Sequence, residues 1–192
     1  MEPRTLTTDR LVLRTVGPQD TEAVYAACQD PDIQRWTTIP SPYLPEHARG
    51  FTEQLVPDGW ANDSMFTFGA FLPTGELTAM LGVTMVAPGV GEIGFWAVRQ
   101  HRGRGYVTEA ASALARWAFR HRALDRLEWR AEVGNAASRA VALRVGFTVE
   151  GTLRSALLNN GTRRDCWIAS LLPSDLSLPT PTPYLPATSR RS

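Results

Sequence analysis

The stretch Gln100-His101-Arg102-Gly103-Arg104-Gly105-Tyr106 lies between an extended run and an amphipathic helical pattern. Its glycines stand where the first N–H groups of a helix lack helical partners. A helix N-terminus of this kind binds anions, because the helix dipole adds about +0.5 charge there. Arg102 and Arg104 supply mobile positive charge for a pyrophosphate or a 3′-phosphate. The loop therefore predicts an anion site, although an ordinary tight strand-to-helix turn can carry the same glycines.

Two other uses of glycine-rich turns do not fit this chain. A Rossmann dinucleotide site needs its glycines after the first strand and an acidic residue about 20 positions later, whereas this loop follows several extended runs. A Walker loop needs a lysine, and the sequence contains none. Many Ala, Pro and Arg residues accompany this lack of lysine, which is typical of a GC-rich, bacterial coding genome.

Upstream of the loop, residues 65–72, 76–85 and 92–98 form three extended runs. Turn-forming residues separate them, which predicts an antiparallel meander. Nearer the N-terminus the pattern predicts one strand over 6–16 and a helix from Gln19 to Asp30. An ordered, proline-rich loop over 36–46 and a short helix over about 47–55 follow.

Downstream of the loop, apolar residues repeat at helical intervals over 107–121. Residues 127–133 alternate between apolar and charged side chains and predict a strand with one buried face. Asn135 is a good N-cap and Gly146 a good terminator for a helix over 136–145. Residues 147–153 and 166–172 predict two further strands joined by a polar turn.

The composition fits one globular domain followed by a tail. The chain has 192 residues, of which 43% are hydrophobic and 20% charged. Five prolines fall between Pro173 and Pro186, where Ser and Thr are also abundant. We therefore predict a domain over residues 1–173 and a Pro/Ser/Thr-rich disordered tail over 174–192.

Charge and cysteine usage limit the classes of partner. With 20 basic and 19 acidic residues the net charge is +1, which gives no indication of a nucleic-acid or membrane partner, and we expect neither. Cys28 and Cys166 lie far apart without a CxxC pair or a His cluster, which predicts free thiols and no metal site. The N-terminus lacks the apolar core of a signal peptide, so we expect a cytoplasmic protein. We also expect it to be a monomer or a homodimer.

Several separate motifs together resemble the GNAT acetyltransferase superfamily. Gln100, Gly103 and Gly105 match its Gln/Arg-x-x-Gly-x-Gly/Ala signature, residues 91–98 resemble its fourth strand, and Asn135 with Gly146-Phe147 resembles its second conserved block. Other matches resemble the RimJ/RimL branch, whose members acetylate protein N-termini or small amines. These are Arg10-Leu11-x-Leu13-Arg14, Asp30-Pro31, Arg35-Trp36, Ser138, Glu150-Gly151 and residues 165–172.

The resemblance implies an α+β fold of three α/β/α layers. Helices would flank both faces of a mixed, mostly antiparallel sheet of about six or seven strands. It also implies acetyl-CoA as the acetyl donor, with the pantetheine arm lying along the fourth strand like an added strand. The N–H of Trp96 would face the thioester oxygen and stabilise the oxyanion. The implied coenzyme-binding residues are Trp96, Ala97, Val98, Arg102, Gly103, Arg104, Gly105, Tyr106 and Asn135.

Two residues are implied for proton transfer. An α-amino group has a pKa of about 7.7–8.0, so a base or a water relay must remove a proton from the amine near neutral pH. Glu92 is implied as this base, because it occupies the fourth-strand position of the base in histone-type relatives. Many members supply a Tyr seven residues after the conserved Asn as the proton donor, but this chain has Ala142 there. Ser138 takes that role by resemblance to the RimL-like branch. A solvated strand-edge Glu92 and a first-turn Ser138 that bonds only local backbone remain alternatives.

The acceptor stays open at this level. A protein N-terminus and a small-molecule amine, such as an antibiotic, are both compatible with the resemblance. We expect the acceptor cleft to be formed by the loop that contains Trp36 and Tyr43, together with residues 155–165. An acyl-CoA sensor without turnover and an arginine-based nucleic-acid binder are the other classes considered. The cysteines lack a neighbouring base, which favours direct attack of the amine on the thioester in a ternary complex over an acyl-cysteine intermediate. We expect His47, His101 and His121 to lie on the surface.

Overall fold

An eight-stranded sheet runs through the computed structural model, which describes residues 2–187. Its strands are β1 (Leu6–Thr7), β2 (Val12–Arg14), β3 (Met65–Phe71), β4 (Leu77–Ala87), β5 (Val90–Ala97), β6 (Arg126–Glu132), β7 (Thr148–Asn159) and β8 (Thr162–Leu171). Their spatial order is β1-β2-β3-β4-β5-β6-β8-β7. Neighbouring strands are antiparallel except β5 and β6, which are parallel. The predicted mixed, mostly antiparallel sheet is confirmed.

The strand count differs from the prediction of six or seven because the N-terminal run bends. Residues 6–16 were expected to form one strand, but Leu6 pairs with Leu13 and Thr7 with Val12. The N–H of Thr8 donates to the carbonyl of Leu11 at 2.9 Å and closes the turn between them. The turn matters for function, because it brings Arg10 to the glycine loop.

Six α-helices connect the strands. They are α1 (Thr21–Ala27), α2 (Pro31–Trp36), α3 (Pro45–Gly50), α4 (Val56–Ala61), α5 (Tyr106–Arg122) and α6 (Ala136–Val145) within the described part of the chain. A π-helical turn, Phe51–Leu55, joins α3 to α4, so the short helix expected over 47–55 is longer at both ends. Pro57 lies in the first turn of α4, where a missing N–H is tolerated.

Side-chain alternation gives the two faces of the sheet different surroundings. Trp117 of α5 packs on Phe66 and Phe68 of β3, with ring centroids 5.4 and 5.3 Å apart. The strand register places Ile93 and Trp129 on this same side, which we call the helix face because α5 and α6 cover it. The opposite side, the polar face, carries Glu92, Glu128, Arg130 and Glu132. Helix α2 reaches this face through Arg35, which donates to Glu132 at 2.9 and 2.7 Å.

The segment expected to form a disordered tail makes several contacts with the domain. Pro173–Leu176 is a short 3-10 helix, Leu178 packs against the core, and Thr182 donates its N–H to Asp125 at 2.9 Å. The division into a domain and a tail stays a prediction, and residues 188–192 lie outside the described residues. In residues 2–187, no helix combines the length and apolar character needed to cross a membrane.

Candidate active site

Strands β5 and β6 part in the middle of the sheet. β5 pairs with β4 from Val90 to Ala97, but with β6 only from Val90↔Arg126 to Ile93↔Trp129. The second half of β5 therefore has backbone groups on its β6 side that no strand satisfies. An extended chain with amide groups can add to such an edge as a strand does. This gap is the place that the resemblance assigns to the pantetheine arm.

Hydrogen-bond alternation decides which groups of β5 face the gap. Val98 donates its N–H to the carbonyl of Thr78 at 2.9 Å, so Val98 and Trp96 direct their N–H groups toward β4. Phe95 and Ala97 alternate with them and direct theirs into the gap. The N–H of Trp96, expected to face the thioester oxygen, therefore faces β4 instead, and so does the N–H of Val98. The side chain of Trp96 does line the cleft described below.

The glycine loop leads directly into α5. Gly103 and Gly105 have φ angles of 75° and 79°, in the left-handed region that glycine adopts without strain. Gly105 is the N-cap of α5 and supplies no side-chain cap, which leaves first-turn N–H groups available to an anion. The predicted strand–loop–helix context of the loop is confirmed.

Arg10 fastens this loop and was not recognised as a site residue from the sequence. Its Nη1 donates to the carbonyl of Arg104 at 3.0 Å, and its Nε donates to Oε2 of Glu109 at 2.6 Å. The guanidinium carbon lies 4.8 Å from the ring centroid of Tyr106. Thr8 donates its hydroxyl to the other oxygen of Glu109 at 2.6 Å. The only sequence signal was the Arg10-Leu11 part of the branch motif.

The two arginines of the loop differ in their partners. The side chain of Arg104 is exposed. Arg102 lies between two carboxylates of the α2 end, with Nη2 3.2 Å from Oδ2 of Asp30 and Nη1 3.0 Å from Oδ2 of Asp32. Its Nε also donates to the carbonyl of Ala97 at 3.3 Å. Phosphate binding by either arginine stays a prediction, and for Arg102 it would have to compete with these contacts.

A cleft of about 1500 Å³ passes through the gap. Residues of both sheet faces line it, together with the glycine loop and the first turns of α5 and α6. Of the predicted site residues, the lining includes Trp36, Glu92, Trp96, Ala97, Arg102, Gly103, Gly105, Tyr106, Asn135 and Ser138. The sequence thus located most of the lining, but not Val98, Arg104 or Tyr43.

Glu92 lies on the polar face where β5 and β6 are still paired. Burial raises the pKa of its carboxyl, Arg130 lowers it and Glu128 raises it, with a net shift upward. The Nε of Arg130 is 3.5 Å from Oε2 of Glu92, and its Nη2 donates to Glu128 at 2.9 Å. Arg126 holds the other oxygen of Glu128 at 2.9 Å. A raised pKa and an adjacent cleft suit a general base.

Ser138 lies on the helix face at the start of α6. Its Oγ accepts a hydrogen bond from the indole N–H of the buried Trp129 at 3.0 Å, which leaves the hydroxyl hydrogen free to be donated. Asn135 caps the helix as predicted, because its Oδ1 accepts from the N–H of Ser138 at 3.2 Å. Ala142, at the position of the family's tyrosine, is buried. Trp129, which the alternation of residues 127–133 places only on a buried face, also lines the cleft.

Glu92 and Ser138 therefore stand on opposite faces of the sheet, beside the point where the strands part. Glu92 shares its face with Arg130, whereas Ser138 contacts Trp129, the neighbour of Arg130 whose side chain points the other way. Ile93↔Trp129 is the last pair before the gap. A group held in the gap can thus meet a carboxylate from one side and a hydroxyl from the other.

The wall expected to bind the acceptor is formed in part. Trp36 lines the cleft, and so do Ala156, Leu157 and Asn159 from the predicted segment 155–165. Tyr43 does not, because it is buried in the core at 5% exposure beside Cys28. Burial, and after it the neighbouring Cys28, raise the pKa of Tyr43. The prediction of Tyr43 as a substrate-binding residue is therefore corrected.

The histidines and cysteines give no metal centre in the described residues. His101 is buried rather than on the surface, and its Nε2 lies 2.9 Å from Glu76. His47 accepts the N–H of Leu44 at 3.0 Å. Cys28 and Cys166 are free and buried. Across residues 2–187, no group of three or more His, Cys, Asp or Glu side chains could hold a metal ion.

The fold, the gap and the glycine loop define an acyltransferase class, and comparison with known proteins identifies it. A family model described as "Acetyltransferase (GNAT) domain" matches residues 10–148. The chain therefore belongs to the GNAT acetyltransferase family, and it is an N-acetyltransferase that uses acetyl-CoA as the acetyl donor.

Similar proteins come from the RimJ/RimL-like branch. The chain is 30% identical over 171 residues to the "Putative ribosomal N-acetyltransferase YdaF" of Bacillus subtilis, covering 85% of this chain and 92% of that protein. It is 33% identical over 92 residues to the ribosomal-protein-serine acetyltransferase of Escherichia coli, covering 47% and 51%. Mycobacterium smegmatis RimJ in complex with CoA-disulfide shares the fold, with a TM-score of 0.81, 22% identity and 92% of each chain covered.

Proposed function

We propose that this enzyme acetylates the α-amino group of a protein N-terminus by direct attack of the amine on acetyl-CoA. The observation that carries the proposal is the placement of Glu92 and Ser138 on opposite faces of the sheet at the β5–β6 gap. The acceptor amine approaches from the polar face, and the thioester occupies the gap. The base then lies on the side of the amine and the acid on the side of the leaving thiolate.

Each step has a group in the cleft. Glu92 takes a proton from the ammonium form of the amine, directly or through water, because only the neutral amine is a nucleophile. The nitrogen forms a bond to the acetyl carbon, and the gap-facing N–H groups of Phe95 and Ala97 stabilise the resulting oxyanion. The carbon–sulfur bond then breaks: Ser138 donates its hydroxyl proton to the thiolate of CoA, and the proton that the attacking nitrogen loses returns through solvent to the serine oxygen. Asn135 holds the pantetheine amides.

A polypeptide acceptor is supported by the similar proteins. The names of the YdaF protein and the Escherichia coli relative refer to ribosomal proteins. The cleft of about 1500 Å³ takes the coenzyme as well as the acceptor, since the glycine loop and Trp36 both line it. The cytoplasmic location and the monomeric or homodimeric state stay predictions.

Release of free CoA tests the choice of acceptor. Peptides that begin with Ser, Ala or Thr are compared with N-terminally blocked copies and with a panel of aminoglycosides and polyamines, using a thiol reagent to detect CoA. We expect steady turnover only with the unblocked peptides. Turnover confined to the small amines would make this a small-molecule acetyltransferase.

A further inference from the structure

Helix α2 bridges the two strands that part. At its start, Asp30 and Asp32 hold Arg102 of the loop that follows β5. At its end, Arg35 forms two parallel hydrogen bonds with Glu132, the last residue of β6, at 2.9 and 2.7 Å. α2 is therefore tied to the coenzyme side of the gap at one end and to the β6 side at the other.

Loss of the ion pair between Asp30 and Arg102 would destabilise the folded protein. The carboxylate of Asp30 is 6% exposed, and Oδ1 accepts the N–H groups of Asp32 and Ile33 at 2.7 and 3.4 Å. Oδ2 has no hydrogen bond within residues 2–187, so the ion pair with Arg102 is what compensates its burial. Removing one partner of a buried charge leaves the other uncompensated. Arg102 is thus held on α2.

Helix α2 ends in Trp36, which lines the cleft on the acceptor side. The guanidinium of Arg35 lies 4.2 Å from the ring centroid of Trp36, and Asn159 of the acceptor wall donates to the carbonyl of Arg35 at 3.0 Å. The position of Trp36 therefore depends on where α2 is fixed at both of its ends.

We propose that Arg102 is a positioning residue for the acceptor site: it holds α2, and through α2 Trp36, in register with the coenzyme loop. This inference rests on the proposed function, because it concerns the peptide that Trp36 contacts. A third contact, from Nε to the carbonyl of Ala97 at 3.3 Å, ties the same guanidinium to the end of β5. The two carboxylates keep the guanidinium in place, so its positive charge pairs with α2 rather than with a phosphate.

This role is tested by Arg102→Ala, Asp32→Asn and the double variant that combines them. Arg99→Ala is the matched control, because Arg99 is an exposed arginine of the same segment. We expect Arg102→Ala to raise KM for the acceptor peptide about tenfold, which corresponds to ~1.4 kcal/mol, while the Kd of acetyl-CoA by calorimetry stays within about twofold. Asp32, whose side chain is 66% exposed, tolerates Asn without loss of folding and gives a smaller rise. The double variant should exceed Arg102→Ala by little, since the two residues form one contact.

Amide hydrogen exchange over residues 31–36 provides a readout that needs no acceptor. We expect faster exchange in Arg102→Ala and Asp32→Asn than in Arg99→Ala and the unaltered enzyme. Unchanged exchange, or a weaker and more salt-dependent Kd for acetyl-CoA with an unchanged acceptor KM, would make Arg102 a phosphate ligand and overturn the inference. Failure of the unaltered enzyme to acetylate any peptide would instead overturn the proposed acceptor, and the exchange result would still decide whether Arg102 fixes α2.

Discussion

The Nε atom of Arg130 lies 3.5 Å from Oε2 of Glu92, across the two strands just before they part. Burial raises the pKa of the Glu92 carboxyl, and this guanidinium lowers it. The charged and titratable groups near Glu92 are Arg130, Glu128 and, through its electrostatic interaction, Cys166. The pKa of the proposed base is thus set by a small group of side chains on the polar face.

Glu92→Gln removes the proposed base without changing its shape. We expect kcat/KM to fall about 100-fold near neutral pH, within the range that general bases contribute. The loss should shrink as the pH rises above the amine pKa of about 8, because the amine then loses its proton without help. Steady-state CoA release from pH 6 to 9.5 measures this. An equal loss at every pH would leave Glu92 without a role as base.

Arg130→Gln should move the acid limb of the pH–rate profile. Removing the cation removes the influence that lowers the pKa of Glu92, so Glu92 becomes deprotonated only at higher pH and the limb shifts upward. Arg120→Gln, on the exposed end of α5, is the control for loss of one positive charge. A profile that coincides with that control would show that Arg130 does not tune the base.

Ser138→Ala should lower kcat at least about tenfold, because the thiolate then leaves without its proton donor. The Kd of CoA should change little, because the proposed coenzyme contacts lie on β5, on the glycine loop and at Asn135. Trp129→Phe replaces the buried indole with a smaller phenyl ring and deletes the 3.0 Å hydrogen bond to Oγ, so it should give a smaller loss in the same direction. A normal kcat in Ser138→Ala would assign the serine to capping alone.

Substitutions at Tyr43 and Trp36 should separate effects on stability from effects on acceptor binding. Tyr43→Phe removes a buried hydroxyl that interacts with Cys28, and we expect a lower Tm with an unchanged acceptor KM. Trp36→Ala should raise the acceptor KM with a smaller effect on Tm. Thermal melts and peptide kinetics on both variants measure the two effects, and the reverse pattern would restore Tyr43 to the acceptor wall.

Much of the fold could be predicted from the sequence because local signals agree with it. The strand–loop–helix context of Gly103 and Gly105, the Asn135 cap and the alternation of residues 127–133 each carry their own physical cause. What could not be predicted depends on register and long-range contact. The direction of the Trp96 N–H follows from the pairing of β5 with β4. The ion pair between Arg102 and Asp30 joins residues that are 72 positions apart in the sequence (102 − 30). Tyr43 is buried only through tertiary packing.

Acid should destabilise the enzyme partly through Glu150. Hydrogen bonds from Arg126 lower the pKa of Glu150 to about 2, against an unfolded value of about 4.3. The stability it contributes is present above the unfolded pKa and is lost as the pH falls toward the folded one. It is modest, because the side chain is 39% exposed. The Tm difference between the unaltered enzyme and Glu150→Gln should therefore be larger at pH 6 than at pH 2.5, with Glu22→Gln as control, and a constant difference would contradict this.

Single-turnover kinetics test the claim that a base and an acid act from opposite faces of the β5–β6 gap. Enzyme loaded with acetyl-CoA is mixed with an unblocked peptide, and the acetylated product is followed by mass spectrometry for the unaltered enzyme, Glu92→Gln and Ser138→Ala. We expect both variants to bind acetyl-CoA normally and to transfer the acetyl group at least about tenfold more slowly. Transfer at the rate of the unaltered enzyme in either variant would contradict the claim.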